Sequence, residues 1–295
     1  MTEPAEEIQS RIQGHTSAGT PRPPRGETGR CQETAVVATN EHYRGDYHVL
    51  TLQAPAISTV CAPGQFVHLQ IPDRHELTLR RPFSIFDATP ADGTLKIFYK
   101  RVGQGTARLA EIPRSTPIDL IGPLGTAFPK PEPNDFLILV AGGYGAAALY
   151  LLEKRFDNPG VCLIGGRTGQ DVVLDELYAR HDFPARVATE DGSRGHQGMV
   201  TDLLREELNR DDVPPDNRVI CACGPNPMLR AVADIGLEQQ IRTWISMDQH
   251  MCCGSGACFA CVVKVKDRNS ENGWTYVRSC REGPVFDART IYWDA

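Results

Sequence analysis

Four cysteines late in the chain, Cys253, Cys258, Cys261 and Cys280, carry the spacing C-x4-C-x2-C followed by a distant fourth cysteine. Plant-type ferredoxins hold a [2Fe-2S] cluster by this interval, so the spacing points to one-electron chemistry. In the run Cys253-Gly-Ser-Gly-Ala-Cys258-Phe-Ala-Cys261, glycines 254 and 256 let the main chain wrap closely and turn amides toward sulfur. Cys280 is expected to return from a hairpin, 261–266 with 275–279, and close the fourth position. A zinc site would show two short C-x2-4-C knuckles or Cys/His pairs, which this interval fits poorly. Cys252 stands beside Cys253, but only Cys253 gives the x4 interval, so Cys252 reads as a packed or spectator thiol. Cys31, Cys61, Cys162, Cys221 and Cys223 have no ligand spacing, and four of them sit among apolar neighbours that suggest burial. Ten cysteines could also signal disulfides, but residues 1–30 are polar and resemble no secretory leader, so a cytoplasmic, reducing location is expected.

Two further runs offer chemistry earlier in the chain. Arg81-Pro82-Phe83-Ser84 opens an expected strand, and Tyr99-Lys100-Arg-Val-Gly-Gln-Gly105-Thr106 ends another and opens a helix. Arg81 can pair a diphosphate bidentately, Phe83 can cover an aromatic ring system, and Ser84 can meet that ring's polar edge. Gly105 and Thr106 fall at a helix start, where free amides favour an anion. Alone, Arg81 would read as a surface ion pair and Phe83 as a core residue; the combination is more specific. Downstream, Ala141-Gly142-Gly143-Tyr144-Gly145 follows a continuous apolar strand and opens a helix, an imperfect dinucleotide loop with Gly165-Gly166-Arg167 where an acidic residue would close the second strand. Cys223-Gly224-Pro225-Asn-Pro-Met228 ends a later strand, on the edge where open α/β sheets bind ligands.

These runs need scaffolds, and the pattern divides the chain into four. Residues 1–30 have no periodicity that could bury a face and are expected to be a disordered arm. From 31 to 130, short apolar runs at 33–39, 47–53, 65–70, 81–86, 94–100 and 117–121, with one short helix at 106–111, predict an antiparallel six-stranded barrel. The stiff stretch Pro129-Lys-Pro-Glu-Pro133 marks the boundary. Residues 131–241 switch to strands at 136–140, 161–165, 186–189 and 219–223 and helices at 146–156, 172–178, 200–207 and 227–237, a parallel α/β layer. The cysteine module takes 242–295. The composition is that of an ordinary globular chain: 295 residues, 41% hydrophobic, net charge −6, and a mean hydropathy of −0.32. No run approaches a membrane span, and no basic stripe suggests nucleic acid.

Taken in order, Arg81-Pro-Phe-Ser84, Gly103-Gln-Gly-Thr106, Gly122-Pro-Leu-Gly125, the Gly142-Gly143-Tyr-Gly145 loop and Cys223-Gly-Pro-Asn-Pro-Met228 resemble the ferredoxin-NADP reductase superfamily, in which a flavin barrel joins a pyridine-nucleotide domain. With the cysteine run and Ser279-Cys280-Arg-Glu-Gly-Pro-Val-Phe-Asp287, the similarity narrows to the electron-transfer subunits of NAD-linked dihydroorotate dehydrogenases, iron-sulfur flavoproteins of pyrimidine biosynthesis, and covers roughly residues 31–295. The resemblance implies FAD at Arg81, Pro82, Phe83, Ser84, Phe98, Tyr99, Lys100, Gly105 and Thr106, and cluster ligation by Cys253, Cys258, Cys261 and Cys280. Gly142, Gly143, Gly145, Cys223, Gly224 and Pro225 fall on the NAD side. It implies an FMN-containing dihydroorotate-oxidising partner subunit in a heterotetramer; because a cluster must then hand electrons across a subunit boundary, the loop 251–261 is expected in the shared interface, with Met251 and Phe259 near its centre. Electrons would run from FMN through the cluster and FAD to NAD+, with no general base on this chain. Tyr144, Ala148 and Asp248 depart from the family's usual aliphatic residue, proline and glutamate. The same scaffold could serve a reductase subunit of a hydrogenase, transhydrogenase or sulfite-type system, or a redox- or iron-sensing module without turnover.

Overall fold

The computed structural model describes residues 29–72, 79–178 and 183–294, so the N-terminal arm, through residue 28, lies outside the described residues. The first half builds an antiparallel sheet from β1 (Cys31–Arg44), β2 (Tyr47–Gln53), β3 (Phe66–Gln70), β4 (Arg81–Ser84), β5 (Asp87–Thr89), β6 (Thr94–Lys100) and β7 (Pro117–Leu124). Two short helices, α1 (Pro55–Val60) and α2 (Gln104–Ala110), lie in its connections, and the spatial order is β4-β3-β7-β1-β2-β6-β5. Alternation supplies the core: Leu50 and Leu52, Val67 and Leu69, Leu95 and Ile97 all turn to one side and are buried together.

The sheet has seven strands where six were expected, because the three-residue β5 pairs with β6 through Asp87↔Lys96 and Thr89↔Thr94. The expected strand 81–86 is in fact β4 plus a link. Only Ile85 and Phe86 separate β4 from β5, so one segment runs between the two edges of the sheet. Along it the Ile85 amide donates to the Gln65 carbonyl (3.0 Å) and the Phe86 amide to the Lys96 carbonyl (2.9 Å).

The second sheet takes β8 (Phe136–Gly142), β9 (Gly160–Gly166), β10 (Ala185–Thr189), β11 (His196–Gln197), β12 (Arg218–Cys223) and β13 (Arg242–Ser246), with α3 (Gly145–Arg155), α4 (Val200–Leu208) and α5 (Asn226–Glu238) between them. A hairpin of β14 (Val262–Lys266) and β15 (Trp274–Arg278) follows, and β16 (Val285–Asp287) returns to the edge of the second sheet. The order is β11-β10-β9-β8-β12-β13-β16, parallel except that β16 runs antiparallel to β13. Thus two strands come from the stretch expected to form only the cysteine module. The helix expected at 172–178 is replaced by a single 3-10 turn at Asp175–Tyr178, since Leu174 takes φ +65° and Val172 to Leu174 are buried in the core between the two sheets.

Strand β8 reads as an unbroken apolar run because both of its faces are covered. Leu137, Leu139 and Ala141 join α3 and the first sheet's Tyr47, Phe86 and Phe98 in one cluster, while Ile138 and Val140 pack with α4 and α5 on the other face. The two sheets therefore share a core. At its rim Lys154 pairs with the buried Asp87 carboxylate at 2.6 Å. Among the described residues, no helix is long and apolar enough to cross a membrane.

Candidate functional site

Strand β3 is the common wall of the site. One of its faces, Val67 and Leu69, looks into the first core; the other carries Phe66 and His68. Its neighbour β4 pairs Phe66 with Ser84, Val67 with Phe83, His68 with Pro82 and Leu69 with Arg81. Phe66 packs with Leu124, Cys261 and Cys280, and Ile121 and Met251 seal that patch. The strand bearing Arg81 to Ser84 and the cysteine module are thus separated by one strand.

On the β4 side, the Arg81 guanidinium lies against the start of α2, where a Cβ on Gly105 would sit 3.4 Å from Arg81 Nε and 3.2 Å from Ile71 Cδ1. Arg81 Nη1 donates to the Leu79 carbonyl at 2.6 Å, and among the described residues the side chain makes no ion pair. The Thr106 hydroxyl is engaged locally, accepting from the amides of Val102 (2.9 Å) and Gly103 (3.2 Å) and so shaping the turn into α2. Phe83 meets Tyr99 edge-on at 6.0 Å, and Tyr99 stacks on His48 at 5.3 Å and donates to Asn40 Oδ1 at 3.0 Å. Burial pushes the Tyr99 hydroxyl up to about 12 against that hydrogen bond. Phe98 stacks on Tyr47 at 5.3 Å, and the Lys100 ammonium stands 5.1 Å from the Tyr47 ring. Ser84 is exposed.

Across the crevice lies the carboxyl edge of the second sheet. The loop after β8 and the loop after β12 touch: a Cβ on Gly142 would fall 2.5 Å from Pro225 Cδ, and one on Gly224 would fall 2.8 Å from the Gly142 amide. At Gly145 a Cβ would overlap the Cys223 carbonyl at 2.2 Å, so only glycine lets α3 start there. Cys223 is 8% exposed, and burial, with the Asp248 charge, pushes its thiol up to about 12 against a hydrogen bond from Ser246. Tyr144 is 54% exposed, yet its hydroxyl donates to Asp248, and burial of that end followed by the Asp248 charge raises its pKa. Burial likewise raises the Asp248 carboxyl, opposed by His250 and Tyr144. Further along this edge an open cavity of about 390 Å³ is lined by Thr168, Gly169, Gln170, Asp191 and Ser193.

The four spaced cysteines converge on one another. Their thiols contact in two pairs, Cys253 with Cys258 and Cys261 with Cys280, and Cys253 lies within electrostatic range of Cys261 and Cys280. Around them, Ala257 N–H donates to Cys253 Sγ at 3.3 Å and the Gly256 amide to Cys280. Burial opposes ionisation of Cys253, but hydrogen bonds from Ser255 and from the amides of Cys258 and Ser255 bring its thiol down to about 6. Cys261 is brought to about 6 by the hydrogen bond from Cys280, against burial, while Cys280, the proton holder of that pair, is raised. Arg278 and Arg281 clamp the loop, reaching the carbonyls of Gly256 (3.2 Å) and Ser255 (3.4 Å), and Arg278 lies 5.5 Å from the Phe259 ring. Cys258 is exposed, Cys253 and Cys252 are half-buried, and Cys261 and Cys280 are buried. Of the unspaced thiols, Cys61, Cys162, Cys221 and Cys223 are buried and Cys31 is half-buried.

Such a set fits an iron-sulfur cluster: two thiol pairs, each with its own amide donors, suit a two-iron centre. Among the described residues, no three His, Cys, Asp or Glu side chains gather as a single-ion site. For a flavin, the bare Gly105, the Arg81 guanidinium beside it and the Phe83 and Tyr99 rings offer anion contacts and aromatic cover. Sequence reasoning missed His68, Tyr47, Arg278 and Arg281, whose roles depend on which strand the cysteine module covers.

Residues 248–292 match the iron-sulfur cluster binding domain of dihydroorotate dehydrogenase B. The chain is 36% identical over 263 residues to the dihydroorotate dehydrogenase B (NAD(+)) electron transfer subunit of Bacillus velezensis, across 86% of this chain and 96% of that protein. The corresponding subunit of Geobacillus kaustophilus is also 36% identical, across 88% and 98%. Among solved structures, an NADH-dependent reduced ferredoxin-NADP oxidoreductase of flavin-based electron bifurcation superposes with a TM-score of 0.75 at 26% identity, across 88% of this chain and 90% of that one.

Proposed function

Because the chain belongs to the family of dihydroorotate dehydrogenase B electron transfer subunits, we propose that it carries electrons from a dihydroorotate-oxidising, FMN-containing subunit through a [2Fe-2S] cluster and FAD to NAD+ in pyrimidine biosynthesis. When bound, the cluster supplies one-electron steps and FAD couples them to two-electron exchange with NAD+. The observation that carries this reading is the position of β3, whose Phe66 packs on Cys261 and Cys280 while its edge hydrogen-bonds to the Arg81–Ser84 strand.

The chain's own residues supply position and exclusion of water. Cys253, Cys258, Cys261 and Cys280 are the cluster ligands in this reading, with the loop amides turned toward sulfur. The flavin is assigned to the seven-stranded sheet, read as a closed barrel. Arg81, beside the bare Gly105, would hold its diphosphate, and Pro82, Phe83, Ser84, Phe98, Tyr99 and Lys100 would receive its ring system, with Thr106 shaping the anion-facing turn. Gly142, Gly143, Gly145, Gly224 and Pro225 floor the nicotinamide side, and their close packing excludes side chains from it. Cys223, pushed up to about 12, stays a neutral thiol there at pH 7.

A partner must reach the cluster. The exposed residues Ser255, Ala257, Cys258 and Ala260 with half-buried Met251 and Phe259 form the face assigned to the catalytic subunit in a heterotetramer. Purification without oxygen, followed by visible and EPR spectra and iron, sulfide and flavin analysis, tests the reading. Two irons, two sulfides and one FAD per chain, with flavin bleached rapidly by NADH, are expected. A colourless chain, or a yellow one inert to NADH, would overturn it.

A further inference from the structure

His68 is wholly buried, and among the described residues neither ring nitrogen has a hydrogen-bond partner. A buried imidazole without partners loses its hydrogen bonds to water and gains nothing in return. Native cores rarely tolerate this unless a partner arrives from elsewhere. Burial, reinforced by the charges of Arg80 and Arg81, lowers its pKa to about 4, so the ring is neutral, with one N–H and one lone pair.

The surroundings say where the partner lies. Gly254, between the first two cluster cysteines, takes φ +63°, and a Cβ built there would fall 2.9 Å from His68 Nδ1 and 3.0 Å from Cε1. The ring therefore fills the space a side chain at 254 would need. Two residues along the same face of β3, Phe66 packs on Cys261 and Cys280. One face of a single strand thus meets Cys261 and Cys280 with an apolar ring and the loop at Gly254, between Cys253 and Cys258, with a polar ring that has no hydrogen-bond partner among the described residues. Thiolate and sulfide sulfurs are acceptors, and the imidazole carries the donor they would take.

We propose that His68 is a positioning residue for the cluster, donating its ring N–H to a cluster sulfur from the wall that separates the cluster loop from the flavin strand. The inference rests on the cluster assignment above. A donor to sulfur favours the reduced, more negative cluster, so loss of the bond lowers the cluster's reduction potential. His68 is paired with Pro82 in the flavin strand, so the same wall keeps the loop in register with the flavin site.

The test uses the full chain purified without oxygen and labelled with 15N-histidine. Pulsed EPR of the reduced cluster is expected to show a histidine nitrogen coupling in the wild type that disappears in His68→Phe. Potentiometric titration is expected to move the cluster midpoint to lower potential in His68→Phe, with partial recovery in His68→Gln, whose amide is also a donor, and no movement of the flavin midpoint. A wild-type cluster without histidine coupling overturns the proposal even if no variant folds. An unchanged cluster midpoint in His68→Phe, or a shift confined to the flavin, also overturns it. A wild type without iron instead removes the electron-transfer reading on which the proposal stands.

Discussion

Alanine at Gly254 and at Gly256 imposes the same backbone demand in two different surroundings, and the difference between them measures how tightly the cluster loop is held against β3. Both residues have positive φ, +63° and +87°. A left-handed backbone costs an L-residue about 1–2 kcal/mol at each. At 256 the added Cβ meets Arg281 Cγ at 2.6 Å and Cδ at 3.0 Å, so the Arg281 chain must rotate away, at the loss of its long, exposed 3.4 Å contact to the Ser255 carbonyl. At 254 it meets His68 Nδ1, Cε1 and Cγ at 2.9–3.0 Å, a ring closed in on every side. Overpacking of that kind costs a further ~1–3 kcal/mol. Gly254→Ala should therefore lose about 2–5 kcal/mol and Gly256→Ala about 1–2 kcal/mol. The assay is bleaching of cluster absorbance against guanidinium concentration in anaerobic protein, with flavin fluorescence followed in parallel. Equal losses at the two positions, or a greater loss at 256, would refute the view that His68 is a fixed wall for the loop.

Other outcomes follow from the same geometry. Gly105→Val drives a branched side chain into the Arg81 guanidinium and Ile71, and should release FAD on gel filtration while cluster absorbance stays. Asp248→Asn removes a charge that raises the Cys223 thiol, so alkylation of Cys223 should begin at lower pH, as mass spectrometry of the modified residue would show. The Asp248 carboxyl is itself raised by burial, so its contribution is present at acid pH and is lost as pH climbs through the raised native value. Wild type should accordingly lose melting temperature relative to Asp248→Asn as pH rises above the ordinary aspartate range of about 4. Cys258→Ser should abolish the EPR signal of the reduced cluster, whereas Cys252→Ser should retain it. Phe259→Glu should weaken association with the catalytic subunit at least about tenfold by calorimetry, since it buries a charge near the centre of the assigned face where an apolar ring stood.

Much of the scaffold was legible because periodicity survives in the core-facing strands: β2 and β6 alternate, and β8 is apolar throughout because it is covered on both faces. The failures have local causes. Strand β5 has only three residues and no alternation to read; it exists because Ile85 and Phe86 carry the chain across the sheet. The run 172–178 has helical spacing of apolar and acidic residues, yet Val172 and Val173 are drawn into the inter-sheet core and the chain turns at Leu174. Strands β13 and β16 flank the cysteine loop in sequence, and nothing in their short runs reveals that the second sheet claims them. In the site, cysteine spacing drew attention to four thiols, but which thiols meet in pairs depends on the hairpin of β14 and β15. His68 within Phe-Val-His-Leu-Gln reads as an ordinary alternating strand position; its unpaired nitrogens become visible only when the cysteine module covers that face. The Tyr144–Asp248 hydrogen bond joins two departures from the family pattern that lie far apart in sequence.

The central claim is a route from the partner subunit through this chain to NAD+, and dihydroorotate-driven NAD+ reduction by the purified components tests it most directly. The FMN subunit alone should oxidise dihydroorotate with artificial acceptors but leave NAD+ untouched, and adding the wild-type chain should start NADH formation at 340 nm, a wavelength set by the product. NADH formation by the FMN subunit alone, or at an undiminished rate with a Cys258→Ser chain that lacks the cluster, would contradict it.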